Sequence, residues 1–512
     1  MHPRIHAQDR PGHPALIDAS NGQVVSYGEL EQRANRAAHA LRELGAAAGS
    51  AVILLCDNRP EFFDIFWGAQ RSGVLLVPTS TRLTPGEVEY IVNDSGASLV
   101  LVSDRLPELA HGLEARRAEM PGLDTIATIG PVADFADWNA VASSQSASPI
   151  PNESAGGRMA YSSGTTGRPK GIRPSPAEGP VIQPHALARL FIPLYGLDAQ
   201  TVYLSPAPLY HSAPMGWTTA VQSSGGTVVM MDKFQPQAFL AAVEQYRVTH
   251  TQVVPTMFSR LLALPPQDRQ RHDLSSLKAV IHAAAPCPVP VKQAMIDWLG
   301  PVIEEYYSGT EGAGFTAISC AEWLEHPGSV GKSLSGAIHI CDDDGHELPA
   351  GETGAIYFET VRPFVYHNDP EKTARARNPL NPNWSTFGDV GRVDGDGYLY
   401  LSDRKDFMII SGGVNIYPQE VENLLITHPE IEDAAVFGVP HADFGEEVKA
   451  VVQPRDWARA TPEFAAELLA YCRAQLADVK CPRSVDFEPQ LPRTETGKLF
   501  KKELKARYWP AG

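Results

Sequence analysis

Six cysteines in 512 residues, with no CxxC pair and no histidines at matching ligand spacing, give no basis for a zinc site or a disulfide framework. Cys56, Cys287, Cys320, Cys341, Cys472 and Cys481 are expected as reduced thiols. Cations are also in short supply. Lys and Arg number 43 against 60 Asp and Glu, a formal net charge of -17, which excludes the clustered basic surface that nonspecific nucleic-acid binding needs. No apolar run approaches the length of a membrane span, and the opening MHPRIHAQDR lacks the apolar stretch of a secretory signal. A cytoplasmic protein without integral membrane segments is expected. No GxSxG elbow supports a hydrolase, and the Walker spacing, GxxxxGK followed by Ser or Thr, is missing.

What is present is an ordinary globular composition, 43% hydrophobic and 20% charged, at a length that exceeds one core and so predicts at least two domains. From Ala51 the short apolar runs AVILL, VLLVP and ASLVLV alternate with the amphipathic PEFFDIFWGAQRSG and TPGEVEYIVNDSG. The alternation resumes from Gly226 with GTVVMMD, QPQAFLAAVEQYR, LKAVIHAAAP and PVIEEYYSG. Buried strands alternating with helices predict an α/β class in two layered halves. From Gly328 to Asp403, glycine-punctuated segments such as GETGAIYFET and DGDGYLYLSD predict hairpins in a β-rich subdomain. Beyond Arg404, helices at PQEVENLLITHP and TPEFAAELLAYCRAQL accompany apolar strands at DAAVFGVP and EVKAVVQP, a small α+β module. The domains are thus placed at 1–403 and 404–512. The closing KLFKKELKARYW, with Lys501, Lys502, Lys505 and Arg507, reads as a solvated helix face.

The densest chemistry lies in YSSGTTGRPKG, Tyr161 to Gly171. Hydroxyls of Ser162, Ser163, Thr165 and Thr166 can donate to phosphate oxygens, Gly164, Gly167 and Gly171 let backbone N–H groups approach an anion, and Lys170 supplies countercharge. Alone, the segment also reads as a Gly/Ser-rich linker, since SSQSASPIPNESAGG precedes it. Five distant segments decide between the two: PLYHSAP from Pro208, AAAPCP from Ala283, EYYSGTEG from Glu305, STFGDVGRVDGDGYLYLSDRKDFMIISGGVNIYPQEVE from Ser385, and PRTETGKLFKKEL near the end.

In that order and spacing the segments resemble the adenylate-forming superfamily of acyl-CoA synthetases, firefly luciferase and nonribosomal peptide synthetase adenylation domains, and the resemblance covers nearly the whole chain. It implies a large N-terminal ATP- and acyl-binding domain and a small mobile C-terminal domain, with ATP, Mg²⁺ and coenzyme A as the small molecules used. By resemblance Glu311 is the metal-site acid, with Thr310 beside it and Thr166 of the glycine loop as a further metal-side oxygen. Tyr307 offers a face to the purine and Ala284 and Ala285 offer thin walls beside it. Asp389 is assigned to the ribose hydroxyls, Arg404 to ribose and phosphates, and Asp406 to the hinge. Lys498 is assigned to the bridge between substrate carboxylate and α-phosphate, and Gly412 and Gly413 to the passage of a thiol arm. Two departures fall near nucleotide or acyl group: Phe387 stands at the usual threonine of TGD, and Ser308 at the usual glycine of YGxTE.

By position the acyl pocket draws on Tyr210, His211, Ala213, Met215, Trp217, Ala284, Tyr306, Gly309 and Gly314. Small Gly309 and Gly314 are expected to leave room, which favours an aryl, medium- to long-chain alkyl or polycyclic acid over acetate. No acid in PLYHSAPMGW can hold an α-ammonium group, so amino acids are disfavoured. The resemblance therefore implies an AMP-forming acid–thiol ligase that makes an acyl-adenylate and then an acyl-CoA, with a place in fatty acid metabolism. The alternatives are loading of a phosphopantetheinyl carrier protein, nucleotide binding without turnover, and luciferase-like oxygenation. A homodimer is left open.

Overall fold

The computed structural model describes residues 2–162, 169–173, 181, 183, 185–361, 363–441, 443–493 and 499–509. Two compact units build the chain: Met1–Val253 with Leu264–Ile281 and Val365–Thr373, and Val254–Ala263 with His282–Phe364 and Ala374–Gly512.

In the first unit a parallel sheet runs in the order Ala136–Asp137, Thr125–Ile129, Ala97–Ser103, Ala51–Leu55, Leu75–Pro78, Gly157–Arg158. Every residue of Ala51–Leu55 is buried, as a strand covered on both faces requires. Its register pairs Ile53 with Val77 on one side and Val100 on the other. The covering helices are set by local signals. Pro60–Ser72 starts on a proline and stops at Gly73, φ 75°, while Pro85–Ser95 carries a Thr84/Glu87 capping box and stops at Gly96, φ 66°. Each fully buried aliphatic side chain of this core contributes roughly 1.5–3 kcal/mol. A second sheet of the same unit holds His250–Val253, Val202–Ser205, Thr227–Met230 and Pro14–Asp18 in parallel, with Val24–Ser26 antiparallel at its edge. The helix Tyr27–Glu43 follows directly, closed by a Ser26/Glu29 capping box.

The second unit contains antiparallel Ile303–Ser308, Phe315–Ile318 and Lys332–Ser335, and a five-stranded antiparallel sheet of Ile338–Cys341, Gly354–Glu359, Asp389–Val393, Leu399–Arg404 and Trp384–Ser385. The Asp-Gly hairpin forms where the sequence places it: the Asp394 carboxylate accepts from the Asp396 and Tyr398 N–H groups, and Gly397 takes φ 85°. After Arg404 comes the α+β module, with long antiparallel strands Ile431–His441 and Gly445–Pro454 and helices Pro418–Ile426 and Pro462–Arg473 around their own core.

In the last helix, Lys501–Tyr508, Arg507 is exposed and Lys505 partly so, as expected, but Lys501 departs from the solvated face. Lys501 is 5% exposed and its Nζ lies 2.7 Å from Glu422 Oε1, an oxygen that also accepts from the Val436 N–H. A lysine amid other cations reads as solvent-facing until a distant carboxylate reaches it. All six cysteines are free thiols, five of them buried. Among the described residues no helix is long and apolar enough to cross a membrane.

Candidate active site

The glycine loop is held at its base by a short hairpin of the first unit. Ala160–Ser162 pairs with Lys170–Ile172, setting Lys170 opposite Ser162 and Gly171 opposite Tyr161. The Tyr161 hydroxyl donates to Asp94 Oδ2 at 2.6 Å, and burial followed by that carboxylate raises its pKa. The His367 N–H donates to the Gly171 carbonyl at 2.8 Å while its ring Nε2 lies 2.9 Å from the Asp94 carbonyl, so His367 braces one strand directly and the other through Asp94. Gly171 sits in close packing: a Cβ there would stand 2.7 Å from Met159 Cε and 3.1 Å from the Tyr161 ring, so the methionine end would have to shift. Lys170 Nζ lies 5.6 Å from the centroid of the Tyr366 ring. Ser163, Gly164, Thr165, Thr166 and Gly167 lie outside the described residues, as does Lys498.

In the same unit the PLYHSAP segment turns into the helix Ser212–Ser224. Asn58 pins the approach, donating to the Ala207 and Met231 carbonyls at 3.1 and 2.8 Å and accepting from the Leu209 N–H at 2.8 Å. No motif marked Asn58 in the sequence. His211 occupies the N-cap position with no side-chain cap hydrogen bond, 4.5 Å from the Tyr210 ring, and burial lowers its pKa to about 4, so the imidazole is neutral near pH 7. Ala213 is partly exposed and Met215 is buried. Trp217 is fully buried in an aromatic stack, 4.4 Å from Phe191 and 5.8 Å from Tyr203 between centroids, which makes it core packing.

The second unit gathers the residues that the resemblance assigns to the nucleotide. Asp389 and Arg404 are directly paired across adjacent strands. Asp389 Oδ1 lies 2.8 Å from Arg404 Nε, and Oδ2 accepts from the Tyr307 hydroxyl at 2.5 Å. Arg404 Nη1 also donates to the Phe387 carbonyl at 3.0 Å. Burial, then Asp389, pushes the Tyr307 phenol well above its ordinary value, so it stays a donor. Each carboxylate oxygen keeps a lone pair for a further donor such as a ribose hydroxyl.

Thr310 and Glu311 follow the strand Ile303–Ser308 in a turn where the Gly312 N–H donates to the Gly309 carbonyl at 3.0 Å. Both are partly exposed, and a hydroxyl beside a hard carboxylate is a donor set that suits Mg²⁺. The two departures acquire a reason here. Ser308 Oγ donates to the Gly314 carbonyl at 2.7 Å and so clamps the turn. A Cβ on Gly309 would sit 2.5 Å from Phe387 Cδ1, and one on Gly314 would sit 2.0 Å from Phe358 Cδ1. The room expected beside these glycines is therefore filled by two rings of a buried cluster. Tyr306 is buried and stacked on Phe315 at 5.2 Å.

Ala284 takes φ 74°, a left-handed backbone that a residue with a Cβ adopts at a cost, and it is exposed next to the half-exposed Ala285. Gly412 and Gly413 take φ 57° and 82° between Ile409–Ser411 and Val414–Ile416, a two-residue hairpin that needs positive φ at both positions. Asp406 lies in a single 3-10 turn, Lys405–Phe407. On its N-terminal side Asp403 Oδ2 accepts from the Gln419 N–H at 2.9 Å, and beside it Lys405 Nζ reaches Asp343 at 2.6 Å.

Strand-end carboxylate, arginine and tyrosine, with a separate glycine-loop hairpin, define a nucleotide-using enzyme. The chain belongs to the AMP-binding enzyme family, which residues 4–362 match, and residues 420–498 match the AMP-binding enzyme C-terminal domain. It is 35% identical to a feruloyl-CoA synthase of Amycolatopsis sp over 95% of this chain and 94% of that protein. It is 31% identical to the fatty acid–[acyl-carrier-protein] ligase ScoC of Streptomyces coeruleorubidus, covering 99% and 95%. Its fold is similar to ATP-bound MatB from Rhodopseudomonas palustris, with a TM-score of 0.86, 28% identity and 99% of each chain covered. The protein is an ATP-dependent carboxylate–CoA ligase of the AMP-forming acid–thiol class.

Proposed function

We propose that this ligase activates a hydrophobic aryl, alkyl or polycyclic acid, using the residues above in the roles their positions support. The observation that carries the nucleotide reading is Asp389 held between Tyr307 and Arg404, a carboxylate oriented with lone pairs to spare. A carboxylate substrate is already a nucleophile, so its attack on the α-phosphorus needs in-line positioning and charge neutralisation, with no general base. Lys170 and Lys498 supply positive charge, and Glu311 with Thr310 and Thr166 would hold Mg²⁺, which when bound neutralises phosphate oxygens. Pyrophosphate leaves, and the acyl-adenylate then meets the thiol of coenzyme A. The proposed division at 403/404 lets residues 404–512 turn about Asp406, presenting Lys498 for the first step and the Gly412–Gly413 hairpin for the second.

Apolar Tyr210 and Met215, the neutral His211 and the lack of an acid between Pro208 and Trp217 support a hydrophobic acid over an amino acid. The names of the relatives, one acting on an aryl and one on a fatty acid, point the same way. We place the protein in the cytoplasm, with monomer and homodimer separable by sedimentation. Acid-dependent pyrophosphate release over alkanoic, aryl and steroid acids, with CoA present, tests the reading: octanoate or benzoate should exceed acetate, and a preference for acetate would contradict it. The similarity to ScoC gives a second reading, carrier-protein loading, which acyl transfer to purified carrier but not to free CoA would establish.

A further inference from the structure

Beside the start of the helix Ser212–Ser224 sits a cation that none of the steps above uses. Arg158 ends the edge strand Gly157–Arg158, in register with Leu76 of the neighbouring strand. Its Nη1 donates to the Ser212 carbonyl at 3.2 Å. A guanidinium offers five N–H donors in a planar fork, and among the described residues no carboxylate pairs with this one. Burial alone pulls its pKa down, to about 10.

The neighbouring groups are neutral. His185 Nδ1 accepts from the Ala188 N–H at 3.3 Å, so Nε2 carries the proton and donates to Thr219 Oγ1 at 2.8 Å, and that hydroxyl in turn donates to the Met215 carbonyl at 2.7 Å. Burial and then the charge of Arg158 lower the His185 pKa to about 3. His211, adjacent in sequence to Ser212, is neutral as well.

Arg158, His185 and His211 are strongly desolvated, yet each keeps partial solvent exposure. Desolvation follows from the protein mass around a group, whereas exposure requires that a water-sized sphere can reach it. Both hold together for groups that line a recess. A desolvated guanidinium with most of its donors unmatched among the described residues favours an oxygen acceptor brought in by a ligand.

We infer that Arg158 is a specificity-determining residue that receives an oxygen acceptor at the end of the substrate acid remote from the reacting carboxylate. The inference rests on the reading that the Tyr210–Met215 segment lines the acyl pocket. It narrows the substrate to acids that carry a second oxygen function, because a plain hydrocarbon tail would leave the fork dry and unpaired.

Matched acids test this: cinnamate against 4-hydroxycinnamate, and octanoate against octanedioate, read as kcat/KM for pyrophosphate release. The oxygenated member should win at least one pair by roughly tenfold or more in the wild type. The aryl pair reports a neutral acceptor and the diacid pair an anionic one. Arg158→Met should bring the winning ratio to within about threefold of one, and Arg158→Lys should retain part of it. A wild type that prefers the plain member of both pairs overturns the inference. So does an equal loss on all four acids in both variants, which would assign Arg158 to the nucleotide, the shared carboxylate or the fold. Where Arg158→Met does not fold, the same ratio in Arg158→Lys decides. Failure of the underlying reading looks different: the wild type then releases no pyrophosphate with any acid, or favours acetate.

Discussion

Asp389 is oriented by two donors of different kinds, a phenol and a guanidinium, and the two should contribute unequally. Tyr307→Phe removes one hydrogen bond and keeps the ring, so KM for ATP should rise roughly three- to tenfold. Asp389→Asn also leaves Arg404 without its counterion, and kcat/KM for ATP should fall roughly a hundredfold. ATP saturation of pyrophosphate release measures both; equal losses would mean that the tyrosine, not the charge, organises the site. His185 gives a second residue-level prediction, on stability. Its folded pKa of about 3 lies below the ordinary 6.5, so the unfolded chain takes up a proton first as pH falls. The stability it contributes is full above 6.5 and is lost between 6.5 and about 3, by at most about 1.4 kcal/mol per pH unit. His185→Gln should flatten the change in urea midpoint between about pH 7 and about pH 5. An unchanged slope would place the pH sensitivity elsewhere.

At the scale of elements, strand and helix alternation was legible because apolar runs and caps are local signals. Thr84 with Glu87 announces one helix, and Ser26 with Glu29 announces Tyr27–Glu43 just as plainly. The candidate site was legible as a set of motifs. What escaped depended on partners far along the chain: Gly309 is small because Phe387 covers it, Gly314 because of Phe358, and Lys501 is buried because Glu422 meets it. Gly314→Ala should therefore cost about 1–3 kcal/mol by overpacking, read from urea unfolding. A neutral result would show that Phe358 can step aside. In the two-residue hairpin, Gly413→Ala strains a φ of 82° where no neighbour would touch the added methyl, so its effect is conformational. Acyl-CoA formation from supplied adenylate should slow more than adenylate formation; the reverse order would remove this hairpin from the thiol step.

For the whole molecule, the family and enzyme class follow from motifs spread over nearly the entire chain, whereas the proposed choice of acid rests on side chains around Tyr210–Met215 and Arg158 that no motif spells. The α+β module has its own core and a buried Glu422–Lys501 pair, which supports the proposal that it turns as a body about Asp406. Asp406→Pro should impair thioester formation while adenylate formation persists, and a normal rate of acyl-CoA synthesis in that variant would argue against a turning hinge. The most direct test of two half-reactions served by one chain is Lys498→Ala, with adenylate formation followed as acid-dependent pyrophosphate release and thioester formation followed from supplied acyl-adenylate and CoA. Loss of the first with the second largely preserved is the predicted result; equal loss of both would contradict the division of labour.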